Sequence, residues 1–173
     1  MIKRILLLIA LFYILILLQS SFLVHFNISG TAPNLVLILV CLLSFFEKPK
    51  EYWGIFGAIT GGFFLDIFLN SFIGISIIVL VFISLFIKES LRLLRETYGK
   101  HPIIYFLPLF ILSLFFYDLL AALFFYFFNS FVFQFNFGLS FLVKIVYNSI
   151  FALLGFYLFK GFSLKFYGKV FKK

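Results

Sequence analysis

The sequence predicts an all-α integral membrane protein whose six transmembrane helices form one bundle. The first observation is composition, because 65% of the 173 residues are hydrophobic and only 12% are charged. A soluble globular domain carries about 25% charged residues, so this composition excludes a water-soluble globular protein. The second observation is that the apolar residues form long segments separated by short polar joints. The third is that the basic residues occupy alternate joints, as the positive-inside rule expects of a multi-pass protein.

Six apolar segments make up the predicted single domain, which covers residues 1–173. A spanning helix needs roughly 20 apolar residues, and most of the segments reach or approach that length. The predicted spans are 5–26, 32–46, 52–70, 72–88, 102–128 and 138–160.

The first segment follows Lys3 and Arg4, so it begins as a signal peptide does. Its apolar run resumes through "FLVHF", however, and no A-x-A-like cleavage site follows. We therefore expect this segment to be retained as the first transmembrane helix.

The second segment, "PNLVLILVCLLSFF", is short enough to be re-entrant, so the charges of the joints decide its topology. If all six segments span, thirteen of the fourteen basic residues lie on one side. The joints "NISGTA", "NS" and "NSFVFQFNF" on the other side contain none. A re-entrant second segment would place the basic joint 88–100 outside. The second segment is therefore predicted to span, with both termini in the cytoplasm.

The fourth and fifth segments carry features at their cytoplasmic ends. The joint "KESLRLLRETYGK" has Leu91, Leu94 and Tyr98 at helical spacing, which predicts an extension of the fourth helix. This extension is expected to lie on the inner membrane surface, with docking of a partner as the alternative. Pro108 lies within the fifth segment, where the helix is expected either to kink or to begin.

Three charged residues lie inside the predicted spans and away from their ends: Asp66, Asp118 and Lys144. Each costs on the order of 2.5–3.5 kcal/mol near a helix centre, so each should face protein or water. At 1.5 Å per residue, Asp66 and Lys144 are about 6 and about 8 Å below the outer surface. Asp118 and Asn148 are about 15 and about 14 Å deep by the same rise. Lys144 and Asn148 are four residues apart and share one helix face.

The matching depths of Asp66 and Lys144 predict that these two side chains form an ion pair. Such a pair would join the third helix to the sixth. A proton or substrate path through the intramembrane polar residues is the alternative, because such residues often mark functional sites.

Glycines are concentrated near Asp66. Small residues at helical spacing let a second helix approach closely, so these positions predict helix packing or partner binding. They are Gly54, Gly57, Gly61, Gly62 and Gly74.

The sequence favours a non-enzymatic protein without a cofactor, a metal site or a nucleic-acid partner. "FYD" at 116–118 matches the first motif of intramembrane aspartyl proteases, but "GFFLD" fails the second, G-x-G-D. The two aspartates also differ in depth by roughly 9 Å, whereas a shared-proton dyad needs carboxylates in contact. No metal-binding H-E-x-x-H, nucleophile G-x-S-x-G or phosphate-binding glycine loop is present. The basic residues at segment ends fit topology and anionic lipid better than DNA.

The stretch from Pro33 to Phe86 combines the proline-led "PNLVLILV", the G-x-x-x-D from Gly62 to Asp66, Gly74 eight residues later, and the apolar "ISIIVLVFISLF". In this combination it resembles the MreD family, the small membrane subunits of the bacterial rod-shape machinery. It covers about a third of the chain, and size and span number agree over the rest.

The resemblance implies a non-enzymatic subunit of the cell-elongation complex in the bacterial cytoplasmic (inner) membrane. MreD proteins bind MreC, a single-span protein, and act with RodA and a penicillin-binding protein in peptidoglycan synthesis. The chain is also similar in size and span number to the substrate-binding subunits of energy-coupling-factor transporters. The alternative function is therefore that of a vitamin-type binding subunit. Those subunits typically carry A-x-x-x-A in the first helix, where this chain has only Ala10 before Ser20.

Overall fold

A computed structural model describes residues 2–28, 30–48, 50–68, 72–94, 102–128 and 138–166. Within these ranges the chain forms six α-helices, and the predicted all-helical fold is confirmed. The helices are α1 (Ile2–Leu17), α2 (Leu35–Phe46), α3 (Trp53–Phe68), α4 (Ile75–Leu93), α5 (Pro102–Phe128) and α6 (Leu139–Phe166).

The structure shows how three of the helices, α1, α4 and α5, begin or end. The apolar stretch of α1 continues through a π-helical turn, Leu18–Phe22, and a 3-10 turn, Leu23–Phe26. The extension of the fourth helix runs to Leu93, and the rest of the predicted extension lies outside the described residues. The fifth helix begins at Pro102 and includes Pro108, so it does not begin at that second proline.

Three stretches are long and apolar enough to cross a membrane: Ile2–Phe26, Pro102–Phe124 and Leu139–Gly161. Three such helices indicate a multi-pass membrane protein. The helices α2 and α3 are apolar but shorter.

The short α2 lies at the centre of the fold. It packs against each of the other five helices, and ten of its twelve residues are buried. A helix that is apolar on all sides is one that is surrounded, which explains its continuous run of Leu, Val and Ile. At 1.5 Å per residue α2 is about 18 Å long, well short of the roughly 30 Å of a bilayer core.

The two ends of the helical assembly differ in charge. We call one the neutral end, which holds the α1–α2 and α3–α4 connections, and the other the basic end, which holds the α2–α3 and α4–α5 connections. Near the basic end, Phe45, Phe106 and Phe156 form a three-way ring contact between α2, α5 and α6, with centroids 5.0 to 6.0 Å apart. The three helices are therefore tightly joined in that half.

Candidate functional site

Asp66 is bound by the first turn of α4. Its side chain is 1% exposed, and its Oδ2 accepts a hydrogen bond from the Gly74 N–H at 2.6 Å. Its Oδ1 accepts a second from the Ser76 N–H at 3.0 Å. The first N–H groups of a helix have no partner within the helix and carry its positive dipole end, so they stabilise a buried carboxylate. The Asp66 side chain thereby fixes the connection between α3 and α4.

Two glycines make this arrangement possible in different ways. A Cβ at Gly62 would lie 2.6 Å from Ile77 Cα and 2.7 Å from Ile77 N, so only glycine lets the backbones of α3 and α4 approach this closely. Gly74, at the N-cap of α4, has φ of +112°, which favours glycine. Among the described residues no atom lies within 4 Å of a Cβ built at Gly74, so the structure shows a conformational role for this glycine, and its predicted part in helix packing or partner binding stays a prediction.

Lys144 forms an ion pair with Asp118, not with Asp66. Its Nζ lies 2.6 Å from Asp118 Oδ1, and the pair joins α6 to α5. The predicted Asp66–Lys144 pair is therefore wrong. The depth comparison used Cα positions, whereas a lysine stem of four methylenes carries the charge about one helical turn away from its own Cα. Two backbone N–H groups, rather than Lys144, bind the Asp66 carboxylate.

Asn148 holds the beginning of α2. Its side chain is fully buried, its Oδ1 accepts from the Asn34 N–H at 2.7 Å, and its Nδ2 donates to the Lys144 carbonyl at 2.9 Å. Gln19, in the π-helical turn, accepts from the Leu35 N–H at 2.9 Å. Asn34 itself caps the helix by accepting from the Leu37 N–H at 3.0 Å. Three side-chain carbonyls thus satisfy N–H groups that have no water available inside an apolar bundle.

We expect Asn148→Leu to lower the free energy of unfolding by about 1–3 kcal/mol, because the partly buried Asn34 N–H would lose its acceptor. The adjacent Ser149→Ala is the matched control, since Ser149 Oγ is buried without a hydrogen-bond partner among the described residues. That control should be neutral or slightly stabilising. Unfolding in mixed micelles by a denaturing detergent measures both changes. Equal losses for the two variants would contradict the capping role of Asn148.

Tyr117 lies beside these contacts. Its side chain is near the Ser76 and Asn34 side chains and near the charges of Asp118 and Asp66. Every helix or its flanking turn therefore contributes to one set of side chains near the neutral end, which we call the polar cluster. Its members are Gln19, Asn34, Asp66, Ser76, Tyr117, Asp118, Lys144 and Asn148.

Half of the polar cluster was not predicted from the sequence. The predicted members are Asp66, Asp118, Lys144 and Asn148. Gln19 and Asn34 had a detectable signal, because each is an amide beside a long apolar run. Ser76 and Tyr117 had none, since serine and tyrosine are ordinary residues in apolar helices.

The remaining glycines of α3 face α1, α2 and α4. A Cβ at Gly57 would lie 2.8 Å from Leu43 Cδ1, and one at Gly61 would lie 2.7 Å from both Phe12 Cε1 and Val36 Cγ1. A Cβ at Gly54 would overlap the Ser44 hydroxyl and lie 2.8 Å from that of Ser84. At each of these three glycines, the space that a side chain would need is already filled by side chains of neighbouring helices in the same chain.

A separate polar contact lies at the basic end, and it was not predicted from the sequence. Glu47 is 3% exposed, its Oε2 accepts from the Gly54 N–H at 2.8 Å, and its Oε1 lies 3.1 Å from Lys88 Nζ. Lys88 also donates to the Glu51 carbonyl at 2.6 Å and lies 3.8 Å from the centre of the Tyr52 ring. Glu47 thus caps the first turn of α3 and ties it to α4.

The arrangement is suited to holding helices together. The described residues contain no group of three His, Cys, Asp or Glu side chains that could hold a metal ion. The carboxylates of Asp66 and Asp118 have separate partners, a helix N-terminus and a lysine. Cys41 is a free, buried thiol within α2.

These features define a class: a helical membrane protein whose buried polar side chains connect its helices. Comparisons with protein-family profiles, with characterised proteins and with solved structures found no match to this chain.

Proposed function

We propose that this protein is a non-enzymatic scaffold subunit of the cell-elongation complex in the bacterial cytoplasmic membrane. In this proposal it binds an MreC-like single-span protein and helps to organise peptidoglycan synthesis by RodA and a penicillin-binding protein. In this proposal the six helices connect the two faces of the membrane, with the short α2 enclosed by the other five helices rather than crossing the bilayer core by its own length. The neutral end lies outside and both termini lie in the cytoplasm.

One observation supports this proposal most strongly: the residues that give the MreD resemblance share a single structural role. Gly62, Asp66 and Gly74 are separated in sequence, yet all three act at the α3–α4 connection. A motif that fixes how two helices meet suits a protein whose work is to present a rigid surface. Buried carboxylates that bind helix ends and a lysine support the same interpretation, because their charge is already used within the bundle.

Purification from native membranes in mild detergent tests the proposal, with identification of the bound proteins and small molecules. We expect an MreC-like single-span protein to co-purify in a defined ratio. Recovery of the partner is compared between two variants of α3. Gly61→Leu should reduce it, because the added side chain would separate α3 from Phe12 and Val36. Ile59→Leu, on the exposed face of the same helix, is the matched control. Recovery of a vitamin-like molecule or an ATPase-linked membrane subunit instead would contradict the scaffold and favour the transporter alternative.

The topology is tested separately by cysteine labelling in intact cells. Cys41 is buried, so background labelling should be low. A membrane-impermeant maleimide should label Asn27→Cys at the neutral end without permeabilisation and Lys50→Cys at the basic end only after it. The reverse pattern would overturn the proposed orientation.

A further inference from the structure

The Lys144–Asp118 ion pair is incompletely covered by the residues that the structure describes. The Lys144 and Asp118 side chains are 27% and 16% exposed, whereas Lys88 and Glu47 in the basic-end pair are 21% and 3% exposed, so the difference lies mainly in the carboxylates. The surrounding helix halves are also open. No residue from 115 to 121 of α5 or from 139 to 147 of α6 is buried, although Leu114 and Asn148 at the inner limits of these ranges are. The neutral-end halves of α5 and α6 therefore form an open face that contains two charges.

This ion pair has unused hydrogen-bonding capacity. Lys144 Nζ has three protons, and one of them is directed to Asp118 Oδ1. Asp118 Oδ2 accepts no hydrogen bond from the residues that the structure describes. The pair has no net charge, yet it presents a strong donor and a strong acceptor side by side within two long apolar helices.

We propose that this open face is the docking site for a partner's transmembrane helix that carries a neutral amide side chain, Asn or Gln. The inference rests on the proposed function, because it assigns the place at which a single-span partner binds. An amide both donates and accepts, so its carbonyl can bind Lys144 Nζ while its NH₂ group binds Asp118 Oδ2. A charged residue would leave one unbalanced charge in hydrocarbon, which disfavours it.

Depth favours a protein partner over a lipid head group. Lys144 is five residues from the start of α6, about 8 Å along the helix, and Asp118 is deeper. Acyl chains surround the protein at that level, and they offer neither donor nor acceptor. A transmembrane helix can place an amide at any depth, whereas a head group would have to leave the interface.

Binding of designed transmembrane peptides tests the proposal. The labelled protein is reconstituted in phosphatidylcholine vesicles, and energy transfer to a labelled Leu/Ala peptide is measured. One peptide carries a single Asn in its outer third, and the matched peptide carries Leu there. We expect the Asn peptide to bind about three- to tenfold more tightly, the range that interhelical hydrogen bonds provide.

The double variant Lys144→Met/Asp118→Leu should abolish this preference while leaving no unpaired charge. The matched control is Glu89→Gln/Arg92→Gln, which removes an exposed ion pair of 3.2 Å at the basic end and should preserve the preference. Equal binding of the two peptides to the natural protein would overturn the proposal. So would an Asn preference that survives the double variant, or one that appears only when phosphatidylethanolamine is added.

This result is separable from that of the proposed function. If an MreC-like protein co-purifies equally with the natural chain and with the folded double variant, the scaffold function stands and the docking site is wrong. If the pair-dependent Asn preference is observed but no single-span protein co-purifies, the docking site stands and the elongation-complex assignment is wrong.

Discussion

Gly62→Ala is expected to lower the free energy of unfolding by about 1–3 kcal/mol, the usual cost of overpacking a well-packed core. The added methyl group would meet Ile77 Cα at 2.6 Å and Ser76 C at 2.9 Å. These are backbone atoms, so a rotamer change cannot relieve the overlap and α4 must move away from α3. That movement would also lengthen the hydrogen bonds from Gly74 and Ser76 to Asp66.

The matched control for Gly62→Ala is Gly161→Ala, the same substitution in a helical position where no atom of the described residues lies within 4 Å of the built Cβ. Alanine is favoured over glycine in a helix interior by about 0.8–1 kcal/mol, so this change should be neutral or stabilising. Steric-trap unfolding in micelles measures both variants. A stability for Gly62→Ala equal to that of Gly161→Ala would contradict the close approach of α3 and α4.

Asp66→Leu is the second change for which we expect a large loss. It would leave the Gly74 and Ser76 N–H groups without the Asp66 carboxylate, and hydrogen bonds to charged groups contribute about 1.5–3 kcal/mol each. Asp66→Asn should lose less, because the amide keeps one acceptor but directs its NH₂ group towards the other N–H. We expect the order natural chain, Asn variant, Leu variant in decreasing stability, measured by unfolding in mixed micelles.

The control for the Asp66 variants lies on the same helix. Thr60 donates to the Phe56 carbonyl one turn earlier, so Thr60→Val removes a side-chain hydrogen bond that joins no two helices. Its effect should be small, because such bonds within a helix contribute little to stability. If Asp66→Asn cost no more than Thr60→Val, the capping of α4 by Asp66 would be contradicted.

Periodicity, length and joint charge could predict the positions of the helices. The segment 102–128 corresponds to α5, and 32–46 differs from α2 by three residues at its start. That difference has a local cause, since Asn34 is the N-cap and accepts from Leu37 N–H. Hydropathy does not report which residue caps a helix.

The partners within the polar cluster could be predicted only in part. Asp66 and Lys144 were recognised because a charge in an apolar run is conspicuous, yet their pairing was predicted wrongly. Depth along a helix does not include side-chain reach, and backbone N–H groups as ligands leave no trace in the sequence. Gly62 was recognised as a close-packing position, but only the structure shows that the backbone approaching it belongs to α4.

Contacts between all six helices at the neutral end explain why a chain rich in leucine and phenylalanine keeps so many buried polar groups. Each group in the polar cluster contacts a neighbouring element, for instance Gln19 with α2 and Asn148 with the start of α2. Hydrophobic packing alone gives little specificity in lipid, because the tails are as apolar as the side chains. Directional hydrogen bonds therefore specify which helix ends meet.

A pair of double-mutant cycles tests this pairing of charges and helix ends most directly. The substitutions are Asp66→Asn, Asp118→Asn and Lys144→Met, with the free energy of unfolding as the readout. Contacting residues couple by about 0.5–3 kcal/mol, so Asp118 and Lys144 should be coupled within that range. Asp66 and Lys144 should be coupled less strongly, because Asp66 is bound by the first turn of α4 and Lys144 by Asp118. Stronger coupling of Lys144 to Asp66 than to Asp118 would contradict the account.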